Sequence, residues 1–178
     1  RCRAILSSHS QHQHRAPLLC HTHQGKPIPD SVSNAIAMTR VDFHSNIPDK
    51  IHYVCRLVRK ARHAHCRIVL MGEPPQLAAL DAALWTFSEH DFVPHVMAGD
   101  ALAIHTPVIL ATTDADADAL PHHQILINLT SQPPPTFARF ERLFEIVATD
   151  AADITSGRDR YRFYQQRGYA LTHFVADK

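Results

Sequence analysis

The chain has 178 residues, 45% hydrophobic and 20% charged, with a formal net charge of +1. That length suffices for one domain with a real core. No run of about 18 apolar residues is present to cross a membrane, and no charged, apolar and small-residue segments line up as a secretory signal, so a cytoplasmic protein is expected.

Residues 1–37 are rich in His, Gln, Ser and Pro and show no sustained period, which predicts a disordered leader. Because Met38 opens a stretch that reads as an ordinary protein start, the leader is expected to derive from upstream coding or a misplaced start. Its His9, His12, His14, His21, His23 and Cys20 are suitable zinc ligands by type, but their spacing matches no closed site, and a tail without metal is the preferred reading. The leader holds Arg1, Arg3, Arg15 and Lys26 against Asp30. Subtracting these from 18 basic and 17 acidic residues leaves 14 and 16 from Met38 onward. That balance argues against a strongly basic nucleic-acid binder, so any positive site must be local.

From Met38 a regular alternation begins. RVDFH at 40–44 predicts a short strand. Pro48-Asp49 opens a helix to about His63, with Ile51, Val54, Cys55, Val58 and Ala61 on one face and Lys50, Arg56, Arg59, Lys60 and Arg62 mostly on the other. RIVLM at 67–71 is an apolar run of strand length, as expected for burial on both faces. After Gly72, Pro74-Pro75 starts a second helix through Leu77, Leu80, Leu84 and Trp85. FVPHV at 92–96 is irregular or an edge strand because of Pro94. PVILAT at 107–112 and QILINLT at 124–130 are further buried strands, 136–143 a short helix, and FEIVAT at 144–149 another strand. A last helix covers about 150–167, Gly168 ends it, and YALTHF closes as a strand. Cys55 and Cys66 read as small buried hydrophobes. The rhythm predicts an α/β domain over 38–178 with a mostly parallel sheet.

Such sheets often bind nucleotides at their carboxyl ends, but the marks of that chemistry are missing. Gly72, Gly99, Gly157 and Gly168 form neither GxGxxG nor GxxxxGK[ST], and the first strand-to-helix turn, HSNIPD, has no glycine. Asp114, Asp116 and Asp118 resemble the start of a calcium loop, but Ala119 and Ile125 stand where Gly and Glu are needed, so a solvated acidic loop is expected. The histidines from His44 onward fall in no HExxH pattern, and no serine sits in GxSxG. No nucleophile, general base, metal site or cofactor site is assembled.

Two segments are candidates for surface function. In LDAALWTFSEHDFVPH at 80–95, Trp85, Phe87 and Phe92 are typical interface anchors; the alternative is that they plug the domain's own core. In GRDRYRFYQQRGY at 157–169, Arg158, Tyr161, Arg162 and Gln165 share a helical face. Guanidinium forks beside an aromatic wall suit a carboxylate next to an apolar side chain, or a phosphate and a stacked base; the alternative is a solvated basic face.

These same segments carry a resemblance. LDAALW at 80–85 and FVPH at 92–95 resemble the LDEALW…FVPH pattern of the DNA polymerase III chi subunit family, and RDRYRFYQQRGY at 158–169 resembles its RERYKAYR-x-x-GF pattern. The order of strands and helices agrees from Met38 to Lys178. The resemblance implies a single, three-layer, Rossmann-like domain without enzyme activity or cofactor. It implies a replication adaptor that pairs with the psi subunit of the clamp loader and takes the acidic, Phe-ended C-terminal tail of single-stranded DNA-binding protein. Arg158, Tyr161 and Arg162 would then form the tail site with Val147 as apolar floor, and Trp85, Phe92, Pro94 and His95 would face psi. Some members bind an XPD-type helicase on that second face. DNA would be engaged only indirectly. The family often has lysine where Arg162 stands, and Gln165 and Gln166 depart from its pattern. Two rival readings are a Rossmann-type nucleotide-binding enzyme, opposed by the missing glycine fingerprints, and a direct single-stranded DNA-binding module, opposed by the acidic balance.

Overall fold

The structure, a computed structural model, describes residues 38–88, 92–112 and 120–176. The leader, Asp114, Asp116 and Asp118 lie outside the described residues. Three short runs set the architecture: Ile68–Met71 (β2), Val108–Ala111 (β4) and Ile125–Asn128 (β5), in which every residue is buried. Strands buried throughout need partners on both edges and cover on both faces. They find them in one all-parallel sheet with Arg40–Ile47 (β1), His95–Met97 (β3), Arg142–Ala148 (β6) and Leu171–Val175 (β7). The order across the sheet is β3-β4-β2-β5-β6-β1-β7.

Side-chain alternation divides the interior in two. Ile68 and Leu70 join Val54, Val58, Leu77 and Leu80 on one side; Val69 and Met71 join Phe43, Phe137, Phe140 and Tyr164 on the other. The helices Lys50–His63 (α1) and Pro74–Thr86 (α2) therefore cover one face, and Ala151–Gln166 (α3) covers the other. This is the three-layer, Rossmann-like arrangement expected, with a sheet that is entirely rather than mostly parallel.

Helix starts follow local chemistry. The Asp49 carboxylate accepts from the His52 amide at 3.0 Å, capping α1. Val54, Cys55, Leu57, Val58 and Ala61 form its buried stripe. Burial pushes the Cys55 thiol up to about 11, so it packs as a neutral hydrophobe; Cys66 is also buried. At the start of α2 the Gln76 carbonyl accepts from the Glu73 amide at 2.9 Å, and its NH2 donates to the Leu129 carbonyl at 3.2 Å.

Two elements differ from expectation. β1 runs past His44 to Ile47, with Asn46 at a φ of 62° and a slip in its pairing with β6 between His44 and Ile47. An asparagine tolerates this left-handed conformation, so the turn manages without glycine. The helix expected at 136–143 is only a 3-10 turn at Phe137–Arg139, because Arg142 and Leu143 are captured as the first residues of β6 by β1 and β5. FVPHV supplies the edge strand expected, with pairing from His95, after the proline that cannot donate to a ladder.

α3 meets the sheet through a buried polar cluster. Glu145, in the middle of β6, is fully buried. Arg160 donates to its carboxylate through Nε at 2.7 Å, the Tyr164 hydroxyl donates at 2.7 Å, and the Asn128 amide donates at 3.0 and 3.1 Å. Burial pushes the Glu145 carboxyl up, while Arg160, Tyr164 and Asn128 pull it down. Arg160, itself 1% exposed, also reaches Ser156 Oγ at 3.2 Å. Removing one partner of such a pair leaves an uncompensated charge. Arg160→Ala is expected to lower unfolding free energy by about 3–5 kcal/mol, read by urea denaturation, whereas Glu145→Met with Arg160→Met should lose far less.

Candidate protein-docking site

The sequence places Val147 near the end of β6 and Arg158 and Tyr161 on α3; the fold brings them to one cavity. Three inward positions of α3, Gly157, Arg160 and Tyr164, are buried and follow the helical repeat. With Arg160 held by Glu145, Gly157 is pressed onto Val147. A Cβ at 157 would lie 2.8 and 2.9 Å from the two Val147 methyl carbons, closer than packed carbons approach. The missing side chain allows the helix to sit this low.

Beside that contact lies a cavity of about 480 Å³. Val147 and Ile154 give it an apolar floor, Phe43 and Tyr161 an aromatic wall, and Arg158 and His173 stand at its edges. The Tyr161 ring meets Phe43 edge-on at 5.0 Å between centroids, which fixes the wall. On the β7 side, Ser45 Oγ and His173 Nε2 are 2.7 Å apart. Arg158 is exposed, and among the described residues no carboxylate pairs with it. An exposed guanidinium over an apolar hole can take a carboxylate whose neighbouring side chain fills the hole.

Arg162 stands apart from the cavity wall. It is 67% exposed and pairs with Asp159 at 3.2 Å, one turn beyond Arg158. Arg167 lies over the Phe163 ring, 3.6 Å from its centroid. The run of four arginines thus divides into one at the cavity, one buried, and two on the outer surface. Arg160 was the residue whose role the helix sequence concealed. The available signal was in β6, where Glu145 interrupts an apolar strand and must find a partner.

The cavity opens onto the carboxyl ends of β1 and β6, through Ser45, Asn46, Ala148 and Thr149, where parallel α/β sheets commonly hold ligands. β1 and β6 are neighbours, yet their following helices, α1 and α3, leave to opposite faces. Lys50 Nζ of α1 meets Asp153 Oδ2 of α3 at 2.6 Å, and Asp153 also accepts from the Ala148 amide. Among the described residues no group of three His, Cys, Asp or Glu could hold a metal ion.

The second candidate surface lies where α2 meets β3. Trp85 is 56% and Phe92 69% exposed, with ring centroids 5.3 Å apart. Pro94 is exposed next to them. His95 lies beneath: it is buried, 5.0 Å from the Trp85 ring, with Nδ1 2.7 Å from the Val93 carbonyl and Nε2 3.2 Å from Asp81. Its position is that of a buttress holding Trp85 outward. Leu84 is buried and Phe87 half-buried, so these two fill the core while Trp85 and Phe92 do not.

Comparison with known proteins gives this geometry a context. The family model described as DNA polymerase III chi subunit, HolC, matches residues 38–172. The DNA polymerase III subunit chi of Pseudomonas aeruginosa is 34% identical over 140 residues, spanning 75% of this chain and 94% of the relative. That of Haemophilus influenzae is 29% identical over 97 residues, 54% of this chain and 66% of the relative. Among solved structures, T4 UvsW aligns with a TM-score of 0.61 at 9% identity, covering 78% of this chain and 41% of that one, a likeness of fold alone.

The Gly157–Val147 contact generates a direct test of how the cavity is built. Gly157→Ala is expected to lift α3 from β6 and to cost about 1–3 kcal/mol of stability. Adding Val147→Ala, which removes the clashing methyls, should recover part of that loss in urea denaturation.

Proposed function

The chain belongs to the DNA polymerase III chi subunit family, and from that premise we propose that it is a non-catalytic replication adaptor with two docking faces. One face, the cavity between α3 and β6, takes the acidic C-terminal tail of single-stranded DNA-binding protein. The other, around Trp85 and Phe92, takes the psi subunit and so tethers the chain to the clamp loader.

The observation that carries this reading is the pairing of an apolar cavity with an exposed, uncommitted guanidinium at its edge. A peptide ending in phenylalanine has both features such a site needs: an aromatic ring and, attached to it, a terminal carboxylate. The ring would fill the space above Val147, while the carboxylate and preceding aspartates pair with Arg158, and with Arg162 one turn farther along. Such pairs weaken as salt screens them. Linking a modest tail contact to the clamp loader would raise the effective concentration of polymerase at protein-coated single strands. The Trp85 face fits a protein partner by a different logic: large exposed aromatics with no carboxylate or phosphate ligand geometry are anchors for an apolar surface. An XPD-type helicase is the alternative occupant of this second face.

Titration calorimetry with a peptide ending in Asp-Phe-Ile-Pro-Phe tests the first face. Arg158→Ala is expected to weaken binding by about 1–3 kcal/mol, the scale of a lost charged hydrogen bond, and Tyr161→Ala should weaken it through loss of the wall. Unchanged binding in both variants would refute the site. Trp85→Ala should leave tail binding intact and weaken association with psi in the same assay.

A further inference from the structure

A second groove lies on the opposite side of β7 from the cavity just described. It is a cleft of about 520 Å³ between α1 and the edge strand β7. We propose that this groove binds single-stranded DNA directly, so that the chain touches the strand itself as well as the protein coating it. The proposal builds on the replication role above but uses separate residues.

Three observations point to a nucleic-acid strand. The first is charge. The segment 50–63 contains Lys50, Arg56, Arg59, Lys60 and Arg62 and no acidic residue, although the chain from Met38 onward has more acids than bases. The basic character is therefore concentrated on one helix. Arg56 and Lys60 both line the groove, and among the described residues neither has a carboxylate partner.

The second is the spacing. Arg56 and Lys60 are four residues apart, about 6 Å along the helix axis. A neighbouring hollow lined by Arg59, His63 and Ala64 shares Arg56 and Lys60 with the groove. Together they make a track along α1 that can follow successive phosphates, where a single carboxylate would need only one cation.

The third is the groove's aromatic lining, which comes from both α1 and β7. Tyr53 Oη is 2.7 Å from His44 Nδ1, and the His44 ring is stacked on Phe174 with centroids 5.1 Å apart. Phe174 and His173 of β7 line the groove, as do Tyr53 and His52 of α1. A cationic track beside flat rings is the combination that holds single strands without regard to sequence, the cations on the backbone and the rings against bases. A peptide tail with one terminal ring would leave most of this lining unused. Among the described residues the one acid lining the groove is Asp49, and its carboxylate is engaged in capping α1.

The test uses the full chain, a fluorescent oligothymidylate and the acidic tail peptide. The oligonucleotide is expected to bind with an affinity that falls with salt. Replacing Arg56 and Lys60 together by Ala should reduce affinity about tenfold or more and lower the slope of log affinity against log salt by about 1.4, from roughly 0.7 per lost phosphate contact on a single strand. The same variant should bind the tail peptide like wild type, and Arg158→Ala should bind the oligonucleotide like wild type. The proposal is overturned if the wild-type chain does not bind the oligonucleotide at low salt, or if the double variant binds it unchanged. It is equally overturned if Arg158→Ala weakens oligonucleotide binding as much as the double variant, which would move the strand to α3. Loss of tail binding in Arg158→Ala bears only on the cavity reading, so the two can fail separately.

Discussion

The ion pair between Glu145 and Arg160 determines how α3 lies on the sheet, and the proposed docking cavity depends on that orientation. A carboxylate in the middle of a buried strand is costly unless a cation and further donors meet it. Arg160, Tyr164 and Asn128 all do. Arg160 and Tyr164 lie one turn apart on the helix, so satisfying Glu145 fixes the helix in rotation and in height. Gly157, one turn earlier, is then the residue that must face Val147, and it is the one residue with no side chain to collide. Arg158, next in sequence, is turned outward to the cavity edge. A polar requirement inside the core thus sets the geometry of a surface feature.

The same architecture puts the site at the carboxyl ends of β1 and β6, through Ser45, Asn46, Ala148 and Thr149. The usual ligand crevice of parallel sheets opens where neighbouring strands send their helices to opposite faces, as β1 and β6 do. Here Lys50 and Asp153 bridge the two helix starts, and the Thr149 amide donates to the Ile47 carbonyl at 3.2 Å. These contacts tie the two helix starts together, and no glycine-rich turn offers amides to a phosphate. Two open spaces flank the edge strand β7. The α3 cavity is on one side and the α1 groove on the other, with His173 lining both. Their characters differ: an apolar hole with a guanidinium at its edge, and a cationic track beside rings.

Much of the fold was legible because it rests on short-range patterns. IVLM, VILA and ILIN are apolar runs of strand length, which suit strands buried on both faces, and the stripe of α1 follows the helical repeat without interruption. The misread elements were decided by pairing. PPPTFARFERL looks helical after its prolines, yet Arg142 and Leu143 belong to a strand because β1 and β5 offer ladders on both sides. The candidate site was legible in part. Arg158, Tyr161 and Val147 line one cavity, and Trp85 and Phe92 are exposed. The sequence of α3 shows four similar arginines, however, and nothing local tells the buried one from the exposed ones. That distinction depends on Glu145, 15 residues earlier in the chain. His95 shows the converse: it sits in the exposed-looking FVPH motif but is buried beneath Trp85.

The central claim is that the space between Val147 and Arg158 receives an acidic, aromatic-ended tail. Backbone amide chemical-shift mapping during titration with such a peptide tests it most directly. The account predicts that the largest changes fall on Val147, Ile154, Gly157, Arg158 and Tyr161, with Trp85 and Phe92 undisturbed. Changes concentrated on the Trp85 face or along α1, with the α3–β6 amides unmoved, would contradict it.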